Sequence, residues 1–260
     1  MATVASVYEV DPYPRPSEQI RGLEEAETIR PKGRNQRVWA SLRQSPAEVI
    51  EQLVAEAKRR DPRHERTWLV LVDGQAAQRG EVEAAIARHR ADTGVIQDVV
   101  HPLEYRWKAA YCFYADGTEE AAAWGQAHAL ALLKGKVSDV AAGRRRSATR
   151  KNLSQQARAA VDKCADYLLK HKVRFDYATA LAKGWPIATG IIEGTCRHLL
   201  KDRMDLTGAR WSLDGAEAVL RLRALRASSD FEDYMAFHRR QERARNYASV
   251  PQNDEFKMAA

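Results

Sequence analysis

A few carboxylates among a string of cations are the residues best placed to do chemistry. Glu193 sits in GWPIATGIIEGTCRHLLKDRM, residues 184–204, with Gly190 before it and Gly194 directly after. Thr189 and Gly190 put it in the first turn of a predicted helix, where the helix dipole alone stabilises an acid. Arg197 and Lys201 follow at helical spacing on the side of Glu193. One reading is a solvated Glu–Arg pair. The other is a carboxylate that keeps its charge beside an arginine and holds a divalent cation, while the flanking cations follow a phosphate backbone.

Asp73 closes the apolar run TWLVLVDG. An acid at the C-terminal end of a parallel strand lies at the edge where open α/β sheets place their ligands. Asp-Gly also ends strands as plain turn chemistry. In IQDVVH, Asp98 falls inside the next predicted strand, three residues before His101. It reads as a second acid at that edge, as a polar residue on a half-buried strand, or as an orienting partner for His101. Beyond Glu193, the cations His198, Lys201, Arg203, Arg210, Arg221, Arg223 and Arg226 interleave with Trp211. Val219, Leu220 and Leu225 give the same helices an apolar face. A basic face opposite a core face fits contacts that position DNA without reading its sequence, and it also fits solvated arginines.

Some chemistries lack their motifs. Gly135-Lys136 is followed by Val137 and has no upstream glycine of a phosphate-binding loop; G-x-G-x-x-G and G-x-S-x-G do not occur. Cys112, Cys164 and Cys196 are scattered, without C-x-x-C or zinc spacing, which predicts a reduced cytosolic chain with neither disulfides nor structural zinc. No apolar run approaches the roughly 20 residues of a membrane span, and no signal peptide pattern opens the sequence.

The elements that must position these residues follow from periodicity. MATVASVYEV is β-branched and partly alternating and predicts a strand; DPYPRPSEQ predicts a loop. Val49, Ile50, Leu53, Val54 and Ala57 recur at helical spacing behind a Ser45 cap and Pro46, and RRDP ends that helix. TWLVLV predicts a strand buried on both faces, followed by a helix from Gly80 to about Ala91, a second buried strand GVIQDVV, and a helix with Leu103, Trp107, Ala110 and Tyr111. Strand, helix, strand, helix predicts parallel pairing. Between Gly117 and Lys183 there is no strand pattern, and helices are predicted near 118–134, 154–170 and 174–183, with GRRRSATRK lying between the first two. Two more helices are predicted at about 190–203 and 214–227, and a disordered polar tail from Arg245.

The chain has 260 residues, enough for a sizeable core, and a net charge of +7 with 42 Lys and Arg against 35 acids. That surplus favours a polyanionic partner, most often nucleic acid.

A strand-end aspartate, a helical block and a late helical glutamate, in this order, resemble the DDE transposases of the RNase H-like fold. Within them the sequence is similar to the ISKra-type insertion-sequence transposases. The resemblance is carried by IRPKGRNQRVWASLRQSPAEVIEQLVAEAKRRDP, TWLVLVDGQ, VIQDVVHPLEYRWKAA, GWPIATGIIEGTCRHLLKDRMDLTGARWSLDGAEAVLRLRALR and FEDYMAFHRRQERARNY, which cover most of residues 1–247. The Glu193 stretch is the most specific of them.

The resemblance implies an α/β fold: an RNase H-like mixed sheet, incomplete at its N-terminal edge and flanked by helices, with an all-helical insertion. It divides the chain into a discontinuous catalytic core (1–116 and 185–244), an insertion (117–184) and a tail (245–260). It makes Asp73 the second and Glu193 the third acid of a metal-binding triad, with Asp98 and His101 in support. It puts DNA against Arg197, His198, Lys201, Arg203, Arg210 and Trp211. The implied chemistry is DNA cleavage and strand transfer with Mg2+ or Mn2+, whose preference for oxygen ligands suits carboxylates. The implied partners are DNA ends and further copies of the chain, with no membrane, in a bacterial cytoplasm and on the nucleoid when bound to DNA. The family's first aspartate lies on a strand that precedes the one resembling MATVASVYEV, and Asp11, in a proline-rich loop, is a poor substitute. The expectation is therefore an N-terminally shortened member that is catalytically impaired. The alternative is a non-catalytic DNA-binding or assembly module derived from one.

Overall fold

Ser45 caps the first long helix as its sequence predicts. Its hydroxyl accepts from the Glu48 amide while the Glu48 carboxylate accepts from the Ser45 amide, and Pro46 opens the helix α2, Pro46–Arg60. A computed structural model of the chain describes residues 2–20, 33–205 and 208–247. Before α2 come β1 (Thr3–Glu9), the short α1 (Ser17–Ile20) and β2 (Arg34–Ser41). After it, β3 (Trp68–Val72), α3 (Ala76–His89), β4 (Thr93–Gln97) and α4 (Val100–Ala110) alternate.

The strands form two separate pairs: β1 runs antiparallel to β2, and β3 parallel to β4, in register from Trp68 opposite Thr93 to Val72 opposite Gln97. The parallel pairing agrees with the expected βαβ unit. The expected single mixed sheet is replaced, among the described residues, by two small sheets in an α/β fold rich in helix. Strand β3 is also less enclosed than its apolar run implies. Only Val72 is buried, and Trp68 to Leu71 are half-buried, because β3 has a neighbouring strand on one side only among the described residues.

Residues 119–182 contain helices throughout: α5 (Glu119–Leu133), α6 (Val137–Arg150), α7 (Gln155–His171), a 3-10 turn (Lys172–Arg174) and α8 (Tyr177–Ala182). The basic run GRRRSATRK, expected to connect helices, is mostly inside α6. Val137, Val140, Ala141, Arg144 and Ala148 recur at helical spacing and are buried, so the core face continues through the arginines. The expected helix over 174–183 is broken where Asp176 caps α8 by accepting from the Thr179 amide.

The Glu193 segment forms α9 (Gly190–Cys196), runs on through a π-helical turn (Arg197–Lys201) and ends in α10 (Asp202–Met204). Helices α11 (Leu213–Ala227) and α12 (Phe231–Tyr247) complete the described chain. Arg245 to Tyr247, expected in the disordered tail, close α12; the rest of that tail lies outside the described residues.

Among the described residues, three apolar clusters hold the elements. The largest gathers Ile96 and Val99 with Leu103, Leu132, Leu133, Leu168, Phe175, Tyr177 and Leu181, fastening the helical stretch to the end of β4. Val38 and Ala40 of β2 pack with Leu199 and Leu220, so the antiparallel pair rests on α11 and the π-helical turn. Ile50, Val72, Val82 and Ala85 join α2, β3 and α3. Helix α2 also packs on β1, so it bridges both sheets. Among the described residues, no helix is long and apolar enough to cross a membrane.

Candidate functional site

The turn after β3 delivers Asp73. Its Oδ1 accepts from the Gln75 amide at 2.9 Å, the Asx-type turn that the Asp-Gly pair favours. Gly74 then takes a φ of +98°, and a Cβ there would lie 2.5 Å from the Gln97 side-chain nitrogen. The positive φ calls for glycine, and a side chain there would also push the Gln97 amide aside. The turn chemistry and the sheet-edge placement of Asp73 therefore coexist.

Asp98 is placed differently from expectation. Strand β4 ends at Gln97, so Asp98 is the first residue beyond it, and it is buried. Its amide still donates to the Val72 carbonyl at 2.8 Å. Its carboxylate accepts from the Val100 amide at 2.6 Å, from the Thr189 amide at 2.6 Å and from the Thr189 hydroxyl. Those donors account for its orientation, and His101 is not among them. His101 instead faces Glu104, 3.9 Å away on the same helix. The reading of Asp98 as partner of His101 is thus corrected to partner of Thr189.

Glu193 is exposed, one turn into α9, with its amide donating to the Thr189 carbonyl at 3.1 Å. No ion pair joins Glu193 to Arg197 among the described residues, so the solvated Glu–Arg pair does not form. Both residues line one cleft of about 650 Å³, together with Asp73, Asp98, His101, Thr189 and Lys201. The fold thus brings the three acids singled out in the sequence, and two of the cations, to a single concavity. Cys196 lines it as well. Burial pushes its thiol up, reinforced by the nearby Glu193 charge, so at neutral pH it is a poor metal ligand beside the carboxylates.

The remaining cations of the predicted DNA face spread beyond the cleft. His198 pairs with Asp202 at 3.0 Å, both exposed. The Arg203 guanidinium lies over the Trp211 ring, 5.8 Å from its centroid, and Arg210 is exposed. Arg223 is turned inward and donates to the His198 carbonyl.

Among the described residues, no group of three or more His, Cys, Asp or Glu side chains is close enough to hold a metal ion. The donors present are still of the kind a hard cation takes. Magnesium is commonly held by one or two carboxylates, with water and substrate phosphates completing its shell. Asp73 and Glu193 fit that partial role, whereas the Asp98 oxygens are already engaged.

Thr189 is the residue that sequence reasoning passed over. A threonine just before a helix reads as a cap, and nothing local says that its hydroxyl turns away to a carboxylate far back in the chain. No protein-family model, curated protein or solved structure matches this chain.

Proposed function

We propose that the chain is a transposase-type catalytic region, built for metal-dependent cleavage and joining of DNA strands. The observation that carries this reading is the single cleft lined by Asp73 and Glu193, contributed from either side of the helical stretch, together with Arg197 and Lys201. Asp73 and Glu193 would hold Mg2+ or Mn2+, which when bound supplies activation of the attacking oxygen and stabilisation of the leaving one. Arg197 and Lys201 would attract and position the phosphate backbone at the cleft mouth. Arg203, Arg210 and Trp211 would extend that contact along the strand, and His198 would lie beside it.

Strand pairing supports the further expectation of an incomplete site. Strands β1 and β3 each pair on one side only among the described residues, and α2 bridges both. A further strand paired at an edge of β1 or β3 that is open among the described residues would be a place for a third carboxylate. The test is a Mn2+-dependent strand-transfer assay on this chain and on a version carrying such a strand with an aspartate upstream. The reading expects activity from the extended chain and little from this one, and inactivity of both would overturn it.

A second reading, a DNA-binding or assembly module without catalysis, is favoured by the lack of a three-group metal cluster among the described residues. It predicts salt-sensitive DNA binding that is indifferent to Asp73→Asn.

A further inference from the structure

Helix α9 is seven residues long, and none of them is fully buried. Packing alone therefore does not fix the azimuth at which it presents Glu193. Its far end is held by the Gln36 side-chain amide, which donates to the Thr195 hydroxyl at 3.0 Å. Its near end is held at three atoms of one residue. The Thr189 amide and hydroxyl both donate to Asp98 Oδ2. The Thr189 carbonyl accepts from the Ile192 amide at 2.7 Å and the Glu193 amide at 3.1 Å.

Thr189 occupies the cap position of α9, yet its hydroxyl caps no amide of that helix; it donates to Asp98 and lies 3.5 Å from the Glu193 carboxylate. A threonine there ordinarily satisfies an amide of its own first turn. Here the hydroxyl serves the buried carboxylate, and the helix start is fastened to the end of β4. Asp98 is itself anchored, through its amide to Val72 and through its other oxygen to the Val100 amide. The adjacent Val99 amide donates to the Ile187 carbonyl at 2.9 Å, a second rung between the same segments. From the helical stretch, the Tyr177 hydroxyl donates to the Gln97 carbonyl at 2.9 Å and so steadies the strand end. A continuous path of hydrogen bonds thus runs from Val72, the neighbour of Asp73, through Asp98 and Thr189 to Glu193.

We propose that Asp98 and Thr189 are positioning residues that set Glu193 against Asp73, with the Thr189 hydroxyl as the transmitting group. The consequence for metal affinity rests on the reading of Glu193 as a metal-holding carboxylate; the consequence for the helix does not. A buried carboxylate bonded to two amides and a hydroxyl makes a stiff junction, since charge-assisted bonds are short and directional. Groups that orient a ligand typically alter metal affinity about 10- to 100-fold when lost.

Hydrogen exchange of the backbone amides in α9 and Mn2+ titration followed by electron paramagnetic resonance test the two consequences separately. The variants are Thr189→Val, which removes the hydroxyl at nearly constant shape, and Thr189→Ser, which keeps it. In Thr189→Val, exchange across α9 should rise about tenfold, the change that loss of a hydrogen bond of ordinary strength produces. Exchange in α2 and α7 should stay as it is, and Mn2+ affinity should fall about tenfold. Thr189→Ser should behave as the native chain in both. Unchanged exchange in α9, a rise spread evenly over the chain, or an equal effect from Thr189→Ser would overturn the positioning role. If the native chain binds no Mn2+, the metal reading falls while the exchange data still decide the positioning role. Should Thr189→Val not fold, Asp98→Asn, which removes the charge and keeps the shape, carries the same expectations.

Discussion

Asp98 and Thr189, far apart in sequence, are joined through two atoms of the threonine, its amide at 2.6 Å and its hydroxyl, to one carboxylate oxygen. Both residues are buried and both line the cleft that also holds Asp73 and Glu193. What the site can do depends on groups held in this way, and several outcomes can be measured.

Glu193→Gln and Asp73→Asn should each weaken Mn2+ binding about tenfold or more, because each removes one of two available carboxylates. Stability should hardly change, since Glu193 is exposed without an ion pair among the described residues and Asn at 73 keeps the oxygen that accepts from the Gln75 amide. Mn2+ titration and urea unfolding of the same samples check both halves of this statement.

Arg197 and Lys201 lie along the cleft with Glu193. If they meet phosphates, the double variant Arg197→Ala/Lys201→Ala should weaken binding to DNA of any sequence. The slope of log K against log salt should fall by about 2, close to 0.9 for each phosphate contact. Fluorescence anisotropy on a labelled duplex at several salt concentrations reads this directly. An unchanged slope would place the DNA elsewhere.

Glu56 makes an acid-stability prediction. It is buried, and its carboxyl is held down at about 2 from an ordinary 4.5, first by the hydrogen bond from Arg59 and then by Arg60 and Arg37, against the opposing effect of burial. The unfolded chain therefore takes up this proton at higher pH than the folded one. The stabilisation is complete above about 4.5 and disappears as pH falls towards 2. Its size is on the order of 3 kcal/mol. Unfolding free energies between pH 7 and pH 2.5 should include this loss in the native chain, and the total loss should be smaller by about that amount in Glu56→Gln, the lowered carboxyls of Asp61 and Glu217 keeping theirs.

Gly184 ties the proline-rich segment to α8. Its φ is +75°, its carbonyl accepts from the Tyr13 amide at 2.9 Å, and a Cβ there would come within 2.3 Å of the Tyr13 nitrogen. Gly184→Ala should cost roughly 2–4 kcal/mol, from backbone strain and a clash with main chain that cannot move aside as a side chain can. Chemical denaturation measures it, with Gly143→Ala as a contrast, since a Cβ at Gly143 meets nothing within 4 Å.

Much of the local structure was legible in residue order. The Ser45–Glu48 capping box, the parallel β3–β4 unit and the helical character of 119–182 follow from spacing, caps and apolar periodicity, which act over a few residues. Asp73 and Glu193 could be chosen as candidates because their types and neighbours restrict what they can do. The basic run in α6 gives no sign, locally, of whether its helix face is buried; Arg144 is buried where α6 packs against α5 and α7, its guanidinium over the Trp124 ring. The strands gave no sign of how many sheets they would form, because pairing is a long-range choice of edges.

By itself, then, the sequence determined most of the segments that coil or extend (though not β2, α6 or α12), the basic charge of the chain and the identity of its candidate acids. Tertiary structure alone decided that these acids share a cleft, that Asp98 serves Thr189 and not His101, and that the strands form two pairs. The reason is physical. Helix and turn preferences are settled by neighbours along the chain, whereas a buried carboxylate takes whichever donors the fold brings to it, and here those donors come mainly from the start of the glutamate helix.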